Sequence, residues 1–298
     1  MQRPQALKKG DKVAIVSTAR KIEKEELNAA IKIMEGWGLE IILGETIGAQ
    51  DHQYAGSDEL RANDFQKALD NHEIKAIFCA RGGYGTVRII DKLDFSSFES
   101  KPKWIIGYSD ITVLHSHIHN NYSIETLHAN MPITYPDKGE NESTKSIWRA
   151  LSQGSATYKW RSSKHNRKGL AEGLLVGGNL SVLYSIIGSV SDIDTDGKIL
   201  FLEDLEEYLY HIDRMMINMK RSGKLAKLSG LIVGGMSDMN DNNIPFGGNA
   251  KDIISEHISE YSYPVAFDFP AGHIDDNRAI ILGAKVTLKV NLEGASLE

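Results

Sequence analysis

The sequence predicts an α/β protein of two domains, and three observations carry that expectation. Short β-branched runs alternate with helix-period segments through the first half, the pattern of βαβ units around a parallel sheet. The second half is smaller and richer in strand. At 298 residues the chain also exceeds the usual span of a single hydrophobic core.

Val13 to Val16 reads as the first strand. Leu27, Ala30, Ile31 and Met34 recur at i, i+3, i+4 and i+7, one helical face, and Gly36 and Gly38 end that helix before a strand at Leu39 to Leu43. Ser57, followed by Asp58 and Glu59, begins a capped helix carrying Ala62, Phe65 and Leu69, after which Ile74 to Ala80 is the third strand. Arg81-Gly82-Gly83-Tyr84-Gly85 comes next, then a short helix over Thr86 to Leu93 and a fourth strand at Trp104 to Ile106. Gly107-Tyr108-Ser109-Asp110 leads into a helix with Ile111, Leu114 and Ile118 on one face, and the first domain, 1–135, is expected to end soon after it. Residues 136–170 are polar with little periodicity and read as a linker. In the second domain, 171–298, strands are expected at Gly173 to Val176, Ile199 to Leu202, Leu231 to Val233, Val265 to Phe267 and Val286 to Val290. Leu205, Leu209, Ile212, Met216 and Met219 mark its clearest helix.

A net charge of −6 and a pI near 6.0, with lysines and arginines scattered, offer nothing to attract a phosphate backbone, so no nucleic acid is expected as a partner. The single cysteine, Cys79, has no internal disulfide partner, which fits a reducing compartment. The apolar run after the N-terminal lysines is only Val13 to Val16, far short of a signal-peptide core, and no 18-residue apolar stretch occurs. The expectation is a cytoplasmic protein with no membrane partner.

In open parallel sheets, ligands bind at the carboxyl ends of the strands, which directs attention to the loops after the third and fourth strands. Ser109 stands at a tight turn between an apolar strand and a helix, where a nucleophile's hydroxyl is exposed beside free N–H groups and the positive end of the helix dipole. The full Gly-x-Ser-x-Gly signature fails at Ile111, and Ser109 also reads as a plain helix N-cap. The glycines of Arg81 to Gly85 let backbone N–H groups approach a ligand, or simply form a tight turn; no dinucleotide or triphosphate fingerprint is complete.

A serine nucleophile needs a base and a carboxylate to orient it. Among ten histidines, His273 in Pro270-Ala-Gly-His273 directly follows a strand, and so does Glu203 in Leu202-Glu-Asp204; each also reads as an ordinary loop residue. His115, His117 and His119 lie two apart on a helix, pointing about 200° from one another, so they do not share a metal. No metal site is expected elsewhere, and Cys79, inside an apolar strand, should be buried and inert.

Arg81-Gly-Gly-Tyr-Gly85, Gly107-Tyr-Ser-Asp110, Gly177-Gly-Asn-Leu180, Leu202-Glu-Asp204 and Pro270-Ala-Gly-His273, in this order and spacing, resemble the LD-carboxypeptidase family of serine peptidases. The resemblance runs from Lys9-Gly-Asp11 to the strand near Val290. It implies a triad of Ser109 as nucleophile, His273 as general base and Glu203 as its orienting partner, with an oxyanion hole from the N–H groups of Gly83 and Asp110. It also implies two domains meeting over the site, a C-terminal domain that is barrel-like, no cofactor, and often a homodimer. The implied activity is removal of the terminal D-alanine from a murein tetrapeptide during wall recycling. On that basis Arg81 is the candidate to hold the substrate's terminal carboxylate, and Asn179 either hydrogen-bonds the peptide or caps the helix that follows it. One departure is visible: the family pattern His-Gly-Pro-Met reads His128-Ala-Asn-Met131 here. Two other functions stay open. One is a same-family amidase acting on an acyl-sulfamoyl nucleotide, for which Trp160 would supply a stacking ring; the other is a non-catalytic binding module.

Overall fold

The protein is described by a computed structural model covering residues 1–154 and 157–298. Its first half forms β1 (Lys12–Val16), α1 (Asn28–Gly36), β2 (Glu40–Leu43), α2 (Asp58–Asp70), β3 (Ile74–Cys79), α3 (Ser96–Ser100), β4 (Trp104–Gly107), α4 (Thr112–Tyr122) and β5 (Thr126–His128). These five strands are parallel and lie in the order β5-β4-β3-β1-β2. Their central members read as near-continuous apolar runs because both sheet faces are covered. Val13, Ile15, Phe78 and Ile106 pack with Ala30 and Met34 of α1, while Ala14, Val16, Ile77 and Ile105 face Phe65 and Leu69 of α2 and Leu114 and Ile118 of α4. The Ser57 side chain caps α2 by accepting from the Leu60 N–H, as the sequence predicts. The helix expected at Thr86 to Leu93 is instead two 3-10 turns, Thr86–Arg88 and Ile90–Lys92. The Gly85 carbonyl accepts from the Arg88 N–H at 3.1 Å and from Arg61 at 3.0 Å, and the Thr86 N–H donates to the Asp110 carboxylate, so the segment closes as short i→i+3 turns tied to the glycine loop.

The chain continues through α5 (Glu142–Gln153), β6 (Tyr158–Arg161), β7 (Gly169–Asn179), α6 (Leu180–Ser185), β8 (Ile199–Leu205), α7 (Leu209–Arg221), β9 (Gly230–Ser237), α8 (Ala250–His257), β10 (Val265–Ala266), β11 (Ile280–Leu282), β12 (Lys285–Val290) and β13 (Gly294–Leu297). Seven of these strands form a second sheet in the order β10-β9-β8-β7-β12-β13-β6, parallel from β10 to β7 and antiparallel beyond. The sheet curls until its edges meet. Trp160 Nε1 on β6 donates to the Phe267 carbonyl just past β10 at 2.9 Å, and Arg167 and Val265 exchange backbone hydrogen bonds. Phe201, Phe269, Ile232 and Leu288 fill the inside of this barrel-like curl.

Several elements went unread in the sequence, among them α5, β6, β11 and β13. α5 lies in the segment read as aperiodic: Ile147, Ala150 and Leu151 enter the core of the first half, but Ser143, Thr144 and Ser146 are buried beside them and mask the period. β11 is only three residues long, and it pairs antiparallel with β5, adding a strand from the second half to the edge of the first sheet. The two halves are also joined by side chains. Thr112 Oγ1 at the start of α4 accepts from the Asn179 N–H at 3.0 Å, and Ser116 Oγ donates to the Ser191 carbonyl at 2.6 Å. No helix among the described residues is long and apolar enough to cross a membrane.

Gly177 shows how tightly β7 and β8 are packed. Its φ is +127°, and a Cβ there would sit 2.0 Å from the Phe201 carbonyl oxygen. Gly177→Ala should therefore cost about 3 kcal/mol or more, seen as a lower urea midpoint at unchanged m-value. A wild-type midpoint would show that the two strands separate freely at this point.

Candidate active site

The turn after β4 is strained by design of its surroundings. Ser109 has φ of +62°, the left-handed region, which costs a non-glycine residue on the order of 1–3 kcal/mol. Gly107 makes the turn tight enough, since a Cβ on it would lie 2.7 Å from Ile111 Cγ1. Its carbonyl is held by the His115 ring Nε2 at 2.9 Å and the Ala129 N–H at 3.2 Å, and the buried Asp110 carboxylate accepts from the Thr86 N–H at 2.9 Å. Burial raises the Asp110 pKa, against the pull of those donors. Ser109 caps neither the 3-10 turn that it begins nor α4, whose N-cap positions are Tyr108 and Ile111 with no side-chain cap bond. A helix cap therefore does not account for this serine.

The Arg81 to Gly85 loop lies beside it. A Cβ on Gly82 would lie 3.4 Å from Ser109 Cβ and 3.0 Å from Met131 Cε, so the two loops are in van der Waals contact at this point. Gly83 has φ of +109°, and neither its N–H nor that of Asp110 finds an acceptor among the described residues. Arg61, with no exposure to solvent, braces the loop by donating to the carbonyls of Thr18 at 2.6 Å and Gly85 at 3.0 Å. Arg81 donates to the Lys21 carbonyl at 3.2 Å. Exposed Arg20 lies with its stem over Gly83, its Cδ and Nε 2.6 Å from where a Cβ would be. Sequence reading passed over Arg20 and Arg61, because only tertiary packing sets them against the glycine loop.

From the second half come Glu203 on β8 and His273 in the turn after β10. Glu203 Oε2 accepts from His273 Nδ1 at 2.7 Å and from the His273 backbone N–H at 3.2 Å. The Glu203 side chain is 0% exposed and the His273 side chain 14%, so a dry carboxylate backs an imidazole that still reaches the site. With Nδ1–H committed to Glu203, Nε2 is left as the proton acceptor on the far edge of the ring. The Tyr108 ring packs on His273 with centroids 4.7 Å apart, placing the imidazole against the residue that precedes Ser109. No hydrogen bond of 3.5 Å or less joins Ser109 to His273 among the described residues; such bonds are often long without substrate and tighten when it binds.

Burial pulls the His273 pKa down, but the Glu203 hydrogen bond and the charges of Glu203, Asp204 and Glu206 outweigh it, leaving the pKa above the ordinary imidazole value. Burial and the nearby Glu203 charge likewise push Asp204 up to about 7, although Asn179 Nδ2, the Ser181 N–H and the Leu205 N–H all donate to it. Asn179 is buried; its Oδ1 caps α6 by accepting from the Val182 N–H, and its Nδ2 holds Asp204, so both ends of the amide are engaged within the fold. His115, His117 and His119 are buried in packing around α4, and burial raises the thiol pKa of Cys79. Trp160, in the seam of the curled sheet, packs edge-on against Phe269 at 4.9 Å. Among the described residues no three metal-ligating side chains are grouped to hold an ion. Carbon-detected NMR titration of the His273 ring should give a pKa above that of an unperturbed histidine side chain, and Glu203→Gln should lower it, since the imidazolium loses its counter-charge. An unchanged value in the variant would contradict the pairing.

Comparison with known proteins places this geometry. Residues 13–129 match the LD-carboxypeptidase N-terminal domain, and residues 172–288 match the LD-carboxypeptidase C-terminal domain. The probable murein peptide carboxypeptidase of Bacillus subtilis is 35% identical over 99% of this chain and 94% of its own. The microcin C7 self-immunity protein of Escherichia coli is 25% identical over 97% of this chain and 93% of its own. Among solved structures, muramoyltetrapeptide carboxypeptidase from Oxalobacter formigenes superposes with a TM-score of 0.88 at 26% identity, covering 96% of this chain and 97% of that one. With both halves matched in order and a relative 35% identical over nearly the whole chain, this chain belongs to the LD-carboxypeptidase family of serine peptidases.

Proposed function

We propose that this enzyme removes the terminal D-alanine from a murein tetrapeptide through an acyl-enzyme formed on Ser109. The observation that carries the proposal is the 2.7 Å bond between His273 Nδ1 and the fully buried Glu203, made beside a serine held in a left-handed turn. Ser109 attacks the carbonyl of the bond between the L-configured centre and D-alanine while His273 Nε2 takes its proton. D-alanine leaves with that proton, and water, deprotonated by the same imidazole, releases the tripeptide. The unpaired N–H groups of Gly83 and Asp110 receive the oxyanion.

The leaving residue carries a free carboxylate, which calls for a cation at the pocket's edge. Arg81 and Arg20 both stand at the glycine loop, and Arg20 is the better placed, because the guanidinium of Arg81 is already given to the Lys21 carbonyl. Asn179 serves by fixing Asp204 and the start of α6. We place the reaction in cytoplasmic wall-peptide recycling, supported by the family's murein-directed members and the single buried cysteine, and read the enzyme as a homodimer on the family resemblance alone. Hydrolysis of an acyl-sulfamoyl nucleotide is less well supported, since Trp160 is spent on the barrel seam.

Purified protein should release D-alanine from tetrapeptides bearing lysine or diaminopimelate at the third position, and Ser109→Ala should lower kcat by a factor on the order of 10⁶. Failure of the wild type to release D-alanine, or full activity in the variant, would overturn the proposal. Arg20→Ala should raise KM by about tenfold or more at nearly constant kcat, with a smaller rise for Arg81→Ala. Substrates amidated at the C-terminus should lose this dependence; a KM unaffected by either arginine would remove both from the pocket.

A further inference from the structure

The turn that carries His273 is tied to the other half of the molecule by a buried chain of amides. Asn277, 1% exposed, accepts from the Gly272 N–H through Oδ1 at 2.9 Å and donates through Nδ2 to Asn130 Oδ1 at 2.6 Å. The orientation is forced: a backbone N–H only donates, so Asn277 Oδ1 must face Gly272, its NH₂ must face Asn130, and Asn130 must present oxygen. Asn130, itself buried, follows β5, whose His128 pairs with Gly107, and the Ala129 N–H donates to the Gly107 carbonyl. Two residues past Gly107 stands Ser109. At the other end, Gly272 has φ of +108° and lies hard against Glu203; a Cβ there would be 2.8 Å from Oε2. The Gly272 amide thus fixes where the next residue, His273, meets its carboxylate. Ser237 Oγ holds the far side of that residue by donating to the His273 carbonyl at 2.5 Å.

We infer that Asn277 and Asn130 form a positioning pair, setting the reach and tilt of the His273 ring toward Ser109 across the boundary between the two halves. Both act through the Gly272–His273 backbone and neither touches the reacting atoms. Asn130 stands at the position where the family pattern leads to an expectation of proline, and proline has no side-chain acceptor, so in this chain the link to Asn277 depends on Asn130 itself. The inference rests on Ser109, His273 and Glu203 acting as the triad.

The test is a double-mutant cycle of Asn130→Leu and Asn277→Leu, with Asn130→Asp as the variant that keeps the acceptor. Three readouts apply: tetrapeptide turnover, the rate of fluorophosphonate attachment to Ser109, and the NMR titration of His273. Each leucine variant should lower kcat and the labelling rate by about 10- to 100-fold with KM within about twofold, because a misplacement of about 1 Å near a reacting group costs that much. The His273 pKa should fall as its bond to Glu203 loosens, the double variant should be little worse than either single one, and Asn130→Asp should retain most of the labelling rate. If Asn277→Leu fails to fold, Asn277→Asp, which keeps the acceptor for Gly272 and loses the donor to Asn130, replaces it. Additive losses, or an unmoved labelling rate and His273 titration in folded variants, would overturn the pair. If the wild type labels but does not cleave tetrapeptide, the substrate assignment fails while the labelling rates still decide the pair. If it does not label at all, the triad assignment fails, and the positioning role of the pair fails with it.

Discussion

A carboxylate shut away from water governs this molecule. Glu203 sits within β8 with no solvent exposure, and its partners are the ring and backbone N–H groups of His273, while its second oxygen has none among the described residues. A charge in that position is tolerable only if a donor is held against it, because removing water from an unpaired carboxylate is costly. The turn after β10 must therefore deliver His273, and glycine at 272 is what lets the backbone come close enough to do so. Once the imidazole is pinned through Nδ1, its other nitrogen is left free, and the ring packs against Tyr108, the residue before Ser109.

The first half answers with a constraint of its own. The left-handed backbone at Ser109 is held by a packed strand below, the His115 ring on the Gly107 carbonyl and the Asp110–Thr86 bond beside it. Neither half is complete alone. β11 leaves the second half to pair with β5, Thr112 bonds the Asn179 backbone, and Tyr108 packs on the His273 ring. The close fit between the halves that orders the site is distributed over strand pairing, hydroxyls and an aromatic contact, so the geometry survives without a metal or disulfide among the described residues.

Much of this was legible in the sequence because it is encoded locally. The parallel strands show as apolar runs, Ser57 announces its helix, and Ser109 falls just past β4, where α/β proteins keep their chemistry, whereas Glu203, read as following its strand, lies within β8, and His273 stands in the longer turn after β10. What stayed hidden depends on contacts between distant residues. α5 buries serine and threonine on its inner face, β11 is too short to show alternation, and Arg61 looks like any surface arginine until the loop from Gly82 to Gly85 folds over it. Asn130 shows in the sequence only as a departure from the family pattern, and its link to Asn277, 147 positions away, carries no signal until the two halves meet. Trp160, which in sequence suggested a stacking platform, turns out to close the seam of the second sheet.

The central claim is that folding the second half onto the first brings the free edge of the His273 ring to the Ser109 hydroxyl. A high-resolution crystal structure with an uncleaved tetrapeptide analogue bound measures this directly. The account expects Ser109 Oγ and His273 Nε2 to lie about 2.6–3.2 Å apart, directly or through one water, with the scissile carbonyl oxygen facing the N–H groups of Gly83 and Asp110. An imidazole turned away from Ser109 while the peptide occupies the cleft would contradict it.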